Sequence, residues 1–123
     1  MKLKSIATAA ALAVLPLTVS AHAPKIGHNG GPQVDAESYH VEIVPKGTVL
    51  QVYLRDQSDN AVSTRGFKGI AIFVIKGKPE RITLTPAGDN QLKGDAKVDL
   101  PAEPKGAVQI TTPTGGTVQA KFE

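Results

Sequence analysis

From residue 39 onward, short runs of alternating apolar and polar residues are separated by turn signals every eight to twelve positions. The clearest is 48–55, where Leu50, Val52 and Leu54 alternate with Gln51, Tyr53 and Arg55. Such a period of two marks a strand with one buried face. Residues 39–44 form an earlier run, ended by Pro45-Lys46-Gly47. Residues 68–75 (KGIAIFVI) are apolar at both parities, which predicts a central strand with both faces covered. Lys76-Gly77-Lys78 reads as a hairpin tip, with 81–85 returning and Ile82 and Leu84 pointing inward. Further strands are predicted at 91–100, 107–112 and 117–122, separated by 101–106 and by Pro113-Thr114-Gly115-Gly116. No segment carries the 3.6-residue period of a substantial helix. The pattern predicts an all-β chain of about seven strands, a small two-sheet β-sandwich of immunoglobulin-like architecture, with a small barrel as the alternative. The domain would span 34–123, preceded at 22–33 by a flexible N-terminal arm rich in Gly and Pro.

The first residues read differently. Lys2 and Lys4 precede an apolar run from Ile6 to about Val19, and Ser20, Ala21 and Ala23 are small. That order of charge, apolar run and small residues is the signature of a secretory signal peptide, here 1–21. The run is short of the ~20 apolar residues a transmembrane helix needs, so no membrane insertion is expected after cleavage. Cleavage after Ala21 would leave His22 at the mature N-terminus, and cleavage after Ala23 would leave Pro24. Proline is a poor residue to follow the cut, which favours His22. The expected location is a bacterial periplasm or the secreted fraction.

Composition narrows the functions. Removing Lys2 and Lys4 leaves 12 basic residues against 11 acidic, so the net charge of +3 falls to +1. That is no electrostatic footprint for nucleic acid. The remaining cations are scattered along the chain and read as a solvated surface. With no cysteine, there is neither a disulfide nor a thiolate ligand or nucleophile. No G-x-S-x-G, H-E-x-x-H, phosphate loop or G-x-G-x-x-G occurs, so no catalytic residues are assigned and the chain is not expected to be an enzyme.

The chemistry-bearing residues gather early. All three histidines lie at or before His40. On a strand, His40 and Glu42 share one face, with Cα atoms roughly 6.6 Å apart from two strand rises. An imidazole and a carboxylate so placed can reach one cation, and imidazole suits copper, zinc and nickel. His28 could be delivered by the Gly30-Gly31 hinge, whose glycines turn without steric cost. His22, as the mature N-terminus, would add its imidazole and its α-amine, the chelate called a histidine brace in exported copper proteins. The candidate metal ligands are therefore His40, Glu42, His28 and His22. The competing expectation is an interaction or structural module of the cell envelope that docks through a sheet edge or the arm.

The string H-N-G-G-P-x-V-x-x-x-x-Y-H-V-E-I-V, residues 28–44, resembles a segment of small exported proteobacterial proteins. It is also similar to the leading part of periplasmic adaptor subunits of heavy-metal efflux systems. There a His-x-Gly-Gly stretch precedes a strand bearing His-x-Glu. The later stretches G-F-K-G-I-A-I-F-V and L-T-P-A-G-D-N-Q-L-K-G are similar to the small-protein group. Carried over position by position, the resemblance implicates His28, His40 and Glu42, and implies a metal-handling role as buffer, carrier or efflux accessory, with a periplasmic efflux or envelope protein as partner. Many members of that group carry a longer histidine-rich arm that this chain lacks, which argues against high-affinity or multi-ion binding.

Overall fold

The computed structural model describes residues 25–123. The signal peptide expected at 1–21 and the candidate ligand His22 lie outside the described residues. Nine strands follow in chain order: β1 (Lys25–Ile26), β2 (Pro32–Ala36), β3 (Tyr39–Lys46), β4 (Val49–Asp56), β5 (Lys68–Ile75), β6 (Lys78–Pro86), β7 (Gln91–Asp95), β8 (Lys105–Thr111) and β9 (Thr117–Phe122). All pairings are antiparallel. Among the described residues there is no helix, so none is long and apolar enough to cross a membrane.

The all-β expectation holds, and the finer architecture differs from it. Hydrogen bonding joins the strands into one sheet in the order β1-β2-β3-β4-β7-β6-β5-β8-β9. The sheet curls into a half-barrel, with β2 lying against β9 but not hydrogen-bonded to it. Two local features account for the difference from a seven-stranded, two-sheet sandwich. The short β7 pairs with β4 on one side and, through Thr85 opposite Lys93 and Pro86 opposite Leu92, with β6 on the other. It thereby fuses what would have been separate sheets. Residues 25–33, expected as arm, supply β1 and the start of β2, where Lys25 faces Gln33 and Ile26 faces Pro32.

The core forms where the inner faces of the two halves meet. Val41, Ile43, Leu50, Val52, Leu54 and Leu92 come from one half, and Phe73, Ile82, Leu84, Val108 and Ile110 from the other; all are fully buried. Tyr39 closes one end by meeting Phe67 edge to face, with centroids 6.0 Å apart. The turn between β5 and β6 places Lys76 at φ 53° and Gly77 at φ 78°. Two positive φ values in a two-residue loop match the right-handed twist of the strands they join. The strand expected at 91–100 ends at Asp95. β5 is central in the hydrogen bonding, between β6 and β8, but only its Ala71, Phe73 and Ile75 face is buried. Its other face is open to solvent, with Ile72 44% and Val74 59% exposed.

Candidate functional site

The outer face of β2, β3 and β4 carries the residues singled out from sequence. Register aligns Asp35, His40 and Arg55 in one row, and Gln33, Glu42 and Tyr53 in the next. His40 and Glu42 thus share a face, and their side chains have different fates.

Glu42 is 1% exposed although it faces away from the core. The β1–β2 turn covers it. That turn is closed by Gly27 N–H donating to the Gly31 carbonyl (2.8 Å) and Gly30 N–H donating to the Gly27 carbonyl (3.0 Å). Both oxygens of Glu42 are engaged. Oε2 accepts from the backbone N–H groups of Asn29 and Gly31, each at 2.9 Å, and Oε1 accepts from Asn29 Nδ2 at 3.1 Å. Two glycines permit the close approach. A Cβ on Gly27 would collide with the Glu42 side chain, and one on Gly31 would collide with the Ile43 carbonyl. The His-Asn-Gly-Gly segment therefore wraps a buried carboxyl, and Glu42 holds that wrap in place.

The histidines find other carboxylates. His28 Nε2 lies 2.6 Å from Asp59 Oδ2, with both side chains half exposed. His40 Nδ1 lies 2.6 Å from Asp35 Oδ1, the histidine 20% and the aspartate 67% exposed. Asp59 sits at φ 67° in the β4–β5 loop. Its turn is fixed by Asp56, whose Oδ1 accepts from Ser58 and Asn60 N–H at 2.9 Å each. Arg55 Nη1 donates to the Asp59 carbonyl (2.9 Å), while Arg55 Nε is buried without a partner among the described residues. The hydrogen bond from His28 lowers the pKa of Asp59; desolvation opposes it, and the charges of His28, Arg55 and His40 add to the lowering.

Each pair leaves one ring nitrogen free of hydrogen bonds to described residues: Nδ1 of His28 and Nε2 of His40. An imidazole that gives one nitrogen to a carboxylate and presents the other is the usual arrangement of a metal-binding histidine. No three His, Asp or Glu side chains converge closely enough to enclose an ion among the described residues. Asp35 and Asp59 went unnoticed in the sequence, because both join the histidines through pairing and loop geometry. The five-residue spacing of Asp35 and His40 across the tight β2–β3 turn was the one available signal.

Compared with known proteins, the chain matches no family model, no curated protein and no solved structure.

Proposed function

We propose that this chain is an exported, periplasmic metal-handling protein that binds a single divalent ion, Cu(II), Zn(II) or Ni(II), at the outer face of β2–β4. His40 Nε2 and His28 Nδ1 supply the nitrogens. Asp35 and Asp59 orient the rings from the far side. The observation that carries this reading is the presence of two 2.6 Å histidine–aspartate contacts, His28 with Asp59 and His40 with Asp35, each leaving one ring nitrogen free of hydrogen bonds to described residues. Glu42 takes a structural part, since ligation would require it to abandon three hydrogen bonds. Two imidazoles with water completing the shell make a site of modest affinity. A chain beginning at His22 would add two further nitrogens.

Calorimetric titration of the chain from His22 onward with each ion, beside a His22/His28/His40 triple alanine variant, tests this. Binding by the parent and its loss in the variant are expected, with Asp35→Asn and Asp59→Asn weakening affinity by about 10- to 100-fold. Equal binding by parent and variant, or no parent binding below millimolar, would overturn the proposal. Protons compete for the ligating nitrogens, so affinity falls as pH falls.

A further inference from the structure

The outer face of the other half of the sheet has a distinct character. On β5 the outward positions are Lys68, Ile70, Ile72 and Val74. Ile70, Ile72 and Val74 make an apolar stripe one strand wide, and a groove of about 260 Å³ runs beside Ile70, between Thr83 and Gln109. Pairing surrounds the stripe with cations. Ile72 stands in the row Arg81–Ile72–Ala107–Lys121, and Val74 has Lys105 opposite on β8. Lys68, Arg81, Lys105 and Lys121 are exposed, and none makes an ion pair with a described residue.

The outward positions of β5, β6, β8 and β9 include no acid. Glu80 points to the opposite side of β6, where its Oε1 accepts from Lys97 N–H at 2.8 Å. Glu123 lies beyond the end of β9. In a chain whose charges nearly balance, four cations and no acid at the outward strand positions, with Glu123 following Lys121 only past the end of β9, are a segregation produced by the strand register.

We infer that this face docks an acidic, amphipathic helix of a partner protein, which lays apolar side chains along Ile70, Ile72 and Val74 and sets flanking carboxylates on Arg81, Lys105, Lys121 and Lys68. Charge complementarity selects an acidic partner, and the exposed stripe supplies a contact that charge alone does not. Ile70 to Val74 spans about 13 Å at the usual rise per strand residue. That matches between two and three turns of a helix about 10 Å wide, leaving its flanks over the neighbouring strands. The stripe carries no outward Trp, Tyr or Phe, the residues that anchor a surface at a bilayer interface, so a protein suits it better than a membrane.

The probe is a capped helical peptide with leucines along one stripe and glutamates on both flanks, titrated into the isotopically labelled chain from His22 onward. Amide shift changes are expected at 70–74 and along the facing positions of β6 and β8. Ile72→Thr with Val74→Thr, both at solvent-facing positions, should weaken binding by at least about tenfold. Arg81→Glu with Lys121→Glu should lose the glutamate peptide and gain its lysine counterpart. Equal binding by a peptide with serine in place of leucine would overturn the inference, because charge alone would then suffice. Shifts confined to another face, or no binding, would overturn it as well. So would phosphatidylglycerol vesicles that capture the protein through these same residues more tightly than the peptide does.

Discussion

Replacing Glu42 by alanine removes the one side chain on which the β1–β2 turn is built. Three hydrogen bonds disappear, two of them from backbone N–H groups that have no other acceptor in the turn. At ~0.5–1.5 kcal/mol per hydrogen bond, plus the penalty of donors left facing a covered hollow, the loss is about 3 kcal/mol. For a domain of this size that lowers Tm by roughly 12–24 °C. Glu42→Gln behaves differently on the same geometry. Its carbonyl oxygen can keep both backbone donors, and the Asn29 amide can turn to present its own oxygen to the new NH₂. The expected loss is about 1 kcal/mol. Thermal unfolding followed by circular dichroism gives both values, and hydrogen exchange at Asn29 and Gly31 locates the loss in the turn. An alanine variant within about 2 °C of the parent would refute the reasoning, given the ~4–8 °C expected per kcal/mol. A glutamine variant as unstable as the alanine one would mean that donor–acceptor matching is not what holds the turn.

Because the folded-state pKa of Asp59 is lowered, its share of stability is present above the ordinary aspartate range and is lost as pH falls through the depressed value. A carbon-detected titration of that carboxyl should show a midpoint below the ordinary value, rising in His28→Ala. Gly31→Ala forces the turn away from the Ile43 carbonyl and should cost ~1–3 kcal/mol. Gly30→Ala meets open space, and its φ of 83° should cost about 1 kcal/mol, so thermal melts should rank the two. His40→Ala and His28→Ala remove partly exposed pairs and should barely change stability, while weakening metal binding, His40→Ala more than His28→Ala. Intact-mass measurement of periplasmic material should find a chain starting at His22, or else at Pro24; recovery of a chain starting at Met1 in the membrane fraction would contradict cleavage.

Period-two alternation made β4 legible to within a residue, because Leu50, Val52 and Leu54 have to face one core. The glycine-containing tip at Lys76-Gly77 was equally plain. Alternation could not show how β7 pairs, since Leu92 is buried whether its neighbour is β4, β6 or both. The apolar run at 68–75 suggested two covered faces, but hydrophobicity reports the tendency to be buried and not the presence of a cover. At the candidate site, strand geometry correctly put His40 and Glu42 on one face. It could not reveal that a turn eleven to fifteen residues upstream would seal Glu42 and leave the histidines to aspartates. Asp59 is brought to His28 from 31 positions away by the β4–β5 loop. The cations around Ile72 are separated along the chain by long intervals and look scattered until the β6–β5–β8–β9 register gathers them.

These placements divide the molecule's work. Glu42 fixes the β1–β2 turn, and the turn fixes where His28 stands, so under the proposed function Glu42 would act on the metal site without touching an ion. A Glu42→Ala variant should therefore lose part of its metal affinity through the freed His28 while His40, on β3 beside Asp35, keeps its own share. The apolar stripe and its flanking cations lie on the other half of the sheet and use none of these residues. Substitutions there should leave metal binding unchanged, and histidine substitutions should leave peptide docking unchanged, because distant sites without shared partners add independently. Coupling between the two faces would require the core between them to have two arrangements. The fully buried Phe73, Ile82 and Leu84 packed against Val41, Ile43 and Leu54 favour one, since close-packed interiors resist such alternatives.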